Sequence, residues 1–332
     1  MRTGFATAEG TARYAARFGS VRDFFRQVQG LTVSSLGLGT YLGEPDEKTD
    51  RGYTEAARTA LGSGINFLDT AINYRNQRSE RALGEALQSV ARDEFVICTK
   101  AGFLTPGALP DFLSAADVVG RMHSMSPDFL SDQIDRSRAN LGLATLDVFY
   151  LHNPETQLAY MSRAEFERRL LAAFSRLEEL VAAGIICYYG TATWNGYREP
   201  GQLDLAAVAA LARQAGGENH HFRFVQLPFN LGMVEAYAGS PSVLQIAQQE
   251  GIAVVASGTL LQGRVLAHMP DAVAELLPGL STDAQRAIQF TRSTPGMSVA
   301  LVGMSDPAHV RDNLGVAAVP PATPGEYRRF FD

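Results

Sequence analysis

The sequence predicts an α/β chain closed into a (β/α)8 TIM barrel, and three observations predict it. Eight short runs rich in Val, Ile, Leu and Phe recur along the chain, each of buried-strand length. Amphipathic helical segments separate them. Residues able to do chemistry fall at the C-terminal ends of the runs, the rim where such barrels carry their sites. The rival, an open doubly wound sheet, would want a Gly-rich phosphate turn after an early strand, and Gly37-Leu38-Gly39-Thr40 does not complete one.

The strands expected in order are Ser35–Leu38, Asn66–Asp69, Phe95–Thr99, Leu146–Leu151, Ile185–Tyr189, Phe224–Leu227, Ile252–Ala256 and Val299–Val302. The clearest helix lies between the fourth and fifth. There Leu170, Phe174, Leu177 and Val181 share one face, and Gly184 stands where a C-terminal cap belongs. Asp204–Gln214, Val243–Glu250 and Pro307–Leu314 follow the same pattern. No low-complexity linker interrupts the alternation, so residues 1–332 are read as one domain. Residues 1–34 are expected to form an extension packed on the bottom of the barrel. Their Arg2, Arg13, Arg17, Arg22 and Arg26 also give them a faint likeness to a transit peptide.

Composition excludes several functions. Hydrophobic residues make up 46% and charged residues 19%, a globular balance. A net charge of −6 with no basic stripe argues against nucleic acid. No apolar run reaches the ~18–20 residues of a membrane span. Cys98 and Cys187 sit inside apolar strands without metal or disulfide spacing, which reads as reduced, buried and cytoplasmic. The sequence sets no oligomeric state.

The polar strand ends carry the chemistry. Asp69 closes the second strand with Tyr74 in the loop beyond it, Lys100 closes the third, His152 the fourth, and Gln226 lies near the end of the sixth. Singly, each has an ordinary reading as a turn residue, a snorkelling lysine or a hydrogen-bonded loop histidine. Together they place an acid, a phenol, an amine and an imidazole on neighbouring strand ends. A phenol with a pKa of ~10 keeps its proton near neutrality and serves as a general acid if its anion is stabilised. An ammonium from Lys100 would supply that, Asp69 would keep Lys100 charged, and His152 could hydrogen-bond a carbonyl oxygen.

At these residues the sequence resembles the aldo-keto reductase superfamily. The match runs through Gly37-Leu38-Gly39-Thr40, Gly64–Ala71 leading to Tyr74, Thr99-Lys100, Leu151-His152, Val225-Gln226 and Leu301–Asn313. It is similar in particular to the bacterial-type branch with Tyr150-Leu151-His152-Asn153-Pro154-Glu155. The resemblance implies a nicotinamide-dependent carbonyl reductase or alcohol dehydrogenase acting on a small-molecule carbonyl. Asp69, Tyr74, Lys100 and His152 would take the four catalytic places, with Tyr74 as the general acid. It implies an extended dinucleotide, NADP or NAD, held by Gly39, Thr40, Thr193, Gln226, Ser257, Gly258, Leu260, Gly263, Arg264, Gly303, Ser305, His309 and Asn313. No metal is implied.

The chain departs from the family's pattern at the cofactor. Ala192-Thr193-Trp194 stands where Ser-Asn is frequent, Ser257 where an aromatic residue is frequent, and Gly303 and His309 where cations hold a 2′-phosphate. These departures leave open a redox-silent barrel (dehydratase, isomerase or cyclase) using the same acid–base residues. A regulatory subunit, which would not need all four catalytic groups, is a third reading. They also point away from NADPH: Asp306 would oppose a phosphate, and Arg311 should face elsewhere. His123 is read evenly as a pocket or a structural residue. His220-His221 is read as structural, on the barrel bottom. Phe103, Leu104, Phe112, Met125, Trp194 and Phe229 suggest a hydrophobic pocket.

Overall fold

Each apolar run forms a strand in the computed structural model, which describes residues 1–19 and 22–332. The strands are β1 (Leu36–Gly39), β2 (Phe67–Asp69), β3 (Val96–Ala101), β4 (Leu146–His152), β5 (Ile186–Ala192), β6 (Phe222–Pro228), β7 (Ala253–Ser257) and β8 (Met297–Gly303). All are parallel. They follow chain order around a closed barrel, with β8 pairing β1 through Gly303 and Gly39. The helix after each strand packs outside: α1 (Glu47–Gly62), α2 (Arg78–Ala86), α3 (Pro127–Leu141), α4 (Arg163–Ala182), α5 (Leu205–Gly216), α6 (Val243–Gln249), α7 (Asp283–Ser293) and α8 (Pro307–Asn313).

Six of the eight helices start where a side chain accepts from one of their first N–H groups, Arg78–Ala86 and Pro127–Leu141 being the exceptions. Asp204 accepts from Ala207 N at 2.8 Å, Ser242 and Gln245 cap reciprocally, and Asp306 accepts from Ala308 N ahead of Pro307. On α4, Leu170, Phe174 and Leu177 are buried as the helical spacing predicts.

Strand alternation divides the core in two. Leu36, Leu68, Ile97, Phe149, Leu151 and Val254 face outward onto the helices. Phe67, Val96, Cys98, Val148, Tyr150, Phe224, Val255 and Leu301 fill the barrel interior. The interior is completed from below by Ala6 and by Val28, Leu31 and Val33 of a hairpin, Phe25–Val28 paired antiparallel with Leu31–Ser34. The hairpin reverses at Gln29 and Gly30, both with positive φ (50° and 77°), the geometry of a two-residue loop between twisted strands. Asp147 at the start of β4 ties the same segment down. Its carboxylate accepts from the backbone of Ala6 and of Ile97 at 2.8 Å each and pairs with Arg92 at 3.0 Å.

One sequence expectation changes here. Phe112 is an exposed loop residue, while Met125 and Phe229 are buried in the outer core, so the three build no pocket together. His221 meets Glu178 of α4 at 2.8 Å, a partner that sequence spacing did not show.

Candidate active site

Alternation also decides which side chains meet at the top of the barrel. Phe67, Cys98, Tyr150, Phe224, Val255 and Leu301 point inward. Two residues on, Asp69, Lys100, His152, Gln226, Ser257 and Gly303 therefore occupy the last inward positions of their strands. The polar members cluster and the small ones leave space. Above them opens a cavity of about 760 Å³, with Tyr74, His152, Thr193, Trp194, Gln226 and Ser257 among its walls.

Lys100 is the centre of the polar cluster. Its Nζ is fully buried and donates to Asp69 Oδ1 at 2.5 Å and to the Thr70 carbonyl at 2.7 Å. The Tyr74 hydroxyl lies 3.4 Å from the same nitrogen. Gln226 closes the set from across the barrel, its Nε2 donating to Asp69 Oδ2 at 2.8 Å. Burial is the largest effect and works against an ammonium here, but the Asp69 carboxylate and the neighbouring Tyr74 together outweigh it and hold Lys100 above the ordinary lysine range. For Tyr74 the balance runs the other way. Burial raises its pKa more than Lys100 lowers it, so the phenol stays protonated.

His152 faces the same cavity, its ring edge-on to Tyr74 (5.7 Å) and to Phe103 (5.2 Å). Burial, then the Lys100 charge, pushes its pKa well below the ordinary value, which makes it a neutral imidazole. Its Nδ1 is buried without a partner among the described residues. A bare ring nitrogen is cheaper to bury unpaired than an N–H, so Nε2 carries the proton and is the donor.

His123, read evenly from sequence, belongs to the support of this site and not to its wall. Its Nε2 donates to the His152 carbonyl at 2.8 Å, and its Nδ1 accepts from Gln157 at 3.0 Å. Burial takes His123 down to about 4, so it stays neutral. Gly102 makes the approach possible: a Cβ there would lie 2.5 Å from His123 Nε2 and 2.6 Å from the His152 oxygen.

The expected dinucleotide residues separate into two groups. Thr193, Gln226, Ser257, Gly258, Leu260, Gly263, Gly303, His309 and Asn313 line the cavity. Gly39, Thr40, Arg264 and Ser305 do not. Thr40 is spent on the Asp69 carbonyl (3.2 Å), and Arg264 borders a neighbouring hollow. The acid on the wall is Asp312 and not Asp306, whose carboxylate caps α8. Arg311 is absent from the wall, as expected, and among the described residues no Lys or Arg lines it. Tyr41, Leu42, Asn73 and Gln262 also line it. They sit in irregular loops and were not picked out from sequence. The wall suits a dinucleotide. Its volume falls within the range of small-molecule sites, and the buried hydroxyls of Thr193 and Thr259 have no protein partner among the described residues.

A phenol, an ammonium and a neutral imidazole converging on a barrel-top cavity are able to pass a proton to an oxygen. The chain belongs to the aldo/keto reductase family, whose model matches residues 35–330. It is 28% identical over 290 residues to D-threo-aldose 1-dehydrogenase from Pseudomonas sp, covering 78% of this chain and 81% of the relative. It is 25% identical over 313 residues to a putative voltage-gated potassium channel subunit beta from Schizosaccharomyces pombe, covering 86% and 85%. Its fold matches an aldo/keto reductase from Klebsiella pneumoniae in complex with NADP and acetate. That match has a TM-score of 0.69 at 20% identity, over 93% of this chain and 94% of the other. The chain is accordingly an oxidoreductase that moves a hydride between a nicotinamide cofactor and a carbonyl/alcohol pair. The redox-silent alternative is not favoured. Among the described residues, no helix is long and apolar enough to cross a membrane.

Proposed function

We propose that this chain interconverts an uncharged carbonyl compound and its alcohol, with Tyr74 as the proton donor and the nicotinamide end of the cofactor beside Thr193, Gln226 and Ser257. The observation that carries the reading is the Tyr74 hydroxyl, 3.4 Å from the buried Lys100 ammonium on the wall of the cavity that His152 also faces.

The bound cofactor supplies the hydride to the carbonyl carbon; the protein handles the oxygen. His152 donates from Nε2 to the carbonyl oxygen and orients it. As charge grows on that oxygen, Tyr74 passes its proton to it. The phenolate left behind is stabilised by Lys100, which Asp69 and the Thr70 carbonyl hold in place. Preorganised groups of this kind stabilise charge that develops only in the transition state.

The walls argue for the substrate class. The wall combines the aromatic side chains of Tyr41, Phe103 and Trp194 with the amides of Asn73 and Asn153, and no Lys or Arg is present among the described wall residues. That combination suits a neutral, hydroxylated or aromatic molecule, and the aldose named for the Pseudomonas relative is of this kind. The same absence of Lys and Arg favours NADH over NADPH. Residues 1–34 are best taken as an extension that closes the bottom of a single domain spanning 1–332. Two unpaired cysteines fit a cytoplasmic setting.

Tyr74→Phe tests the assignment. It removes the acidic proton and keeps the ring, so kcat for carbonyl reduction should fall by about 10²–10⁴-fold while cofactor affinity is kept. A variant turning over at the parental rate would remove Tyr74 from the mechanism.

A further inference from the structure

A carboxylate that this scheme leaves unused lies inside the rim. Glu155 follows His152 by three residues, in the short 3-10 turn Pro154–Ala159, and is buried at 7% exposure. Its Oε1 accepts three successive backbone N–H groups across the barrel top: Trp194 at 2.9 Å, Asn195 at 3.1 Å and Gly196 at 3.2 Å. Consecutive N–H groups converging on one point form a concavity suited to an anion, often a ligand phosphate. Here the chain fills it with its own carboxylate.

The loop so held begins at the cavity. Thr193 and Trp194 are both wall residues, and Thr193 N is fixed to the Gln226 carbonyl at 2.8 Å. Beyond that bond, Glu155 is the side chain that ties down the next three backbone groups. The Trp194 indole reaches over to the loop after β7, where a methyl group on Gly258 would lie 3.7 Å from its ring. Gly258 has a φ of +62° and is itself a wall residue. One carboxylate thus sets a segment that spans two sides of the cavity. Burial pushes its pKa up by more than the three N–H groups pull it down, so it lies above the ordinary glutamate value.

We propose that Glu155 is a positioning residue for cofactor binding, an internal acceptor that holds Thr193–Gly196 in the shape the nicotinamide dinucleotide requires. The inference rests on reading the cavity as the dinucleotide site.

Trp194 is the only tryptophan in the sequence, so intrinsic emission reports this loop directly. Titrating NADH and NADPH into the parent, Glu155→Ala and Glu155→Gln tests the proposal. Glu155→Ala should show red-shifted Trp194 emission before cofactor is added, and a cofactor Kd raised about tenfold or more, since it loses three bonds to one buried acceptor. Its kcat at saturating cofactor should stay within about threefold, because the groups around Tyr74 are untouched. Glu155→Gln keeps an oxygen in place and should restore the emission and bring Kd within about threefold of the parent. If Glu155→Ala does not fold, Glu155→Asp, which withdraws the acceptor by one methylene, carries the same expectations. Parental emission and Kd in the folded Ala or Asp variant would overturn the proposal, as would a Gln variant no better than Ala. A parent protein that binds neither nicotinamide would overturn the reading of the cavity instead.

Discussion

Tyr74 sits between two opposed effects. Burial stabilises the neutral phenol, the Lys100 ammonium stabilises the phenolate, and burial is the larger, so its pKa lies above the ordinary tyrosine value of 10. The sign of the pH dependence follows. With Tyr74 as the proposed proton donor, reduction needs its protonated form, so kcat should be level from pH 6 to 9 and fall only above the raised pKa. Oxidation of the alcohol needs the phenolate and should climb about tenfold per pH unit over that range. His152 adds no break, since its pKa lies well below the ordinary histidine value. Rate measurements in both directions against pH check this; a reduction rate falling between pH 7 and 9 would assign the proton to another group. At this scale the sequence was informative wherever strand alternation applied. Asp69, Lys100, His152 and Gln226 fall at strand ends with the same inward parity, and their meeting could be read from pattern alone. The supports of these residues could not. His123 and Glu155 act through contacts 29 to 41 residues away in the chain, made by irregular loops to which no periodicity applies. Asp306 and Asp312 differ by less than two helical turns, and only the placed helix shows which one meets the cavity.

Among the elements, the barrel strands were legible because a strand buried on both faces reads as a continuous apolar run. The hairpin at residues 25–34 was not recognised, because four-residue strands are too short for an alternation to stand out. Its one signal was Gly30, in a turn where both residues have positive φ. What holds this lower end is polar. Asp147 satisfies the buried N–H groups of Ala6 and Ile97 and the Arg92 guanidinium together. Asp147→Ala would strand two donors and a charge, which typically costs about 3–5 kcal/mol. Urea unfolding should show that loss, with the site chemistry near normal in the protein that remains folded. A loss below about 1 kcal/mol would mean that the N-terminal segment does not depend on this carboxylate.

Across the whole molecule, charge is distributed so that the wall of the proposed cofactor cavity carries, among the described residues, one carboxylate, Asp312, and no lysine or arginine. NADPH carries a 2′-phosphate of about two negative charges, which is ordinarily held by Arg or Lys. A ribose hydroxyl suits this wall better. NADH should therefore be used at least as efficiently as NADPH. A kcat/KM preference of a hundredfold for NADPH, about 2.7 kcal/mol, would show that a cation such as Arg264 or Arg311 moves in to the phosphate.

The central claim is that the cavity above Lys100 holds a nicotinamide whose hydride goes to carbon while Tyr74 serves the oxygen. Turnover of a neutral aldehyde with cofactor deuterated at the transferring position of the nicotinamide ring tests it most directly. Mass spectrometry should find one deuterium on the former carbonyl carbon of the alcohol, and Tyr74→Phe should slow its appearance without diverting the label. An alcohol formed without deuterium, or cofactor left unoxidised while substrate is consumed, would contradict the account.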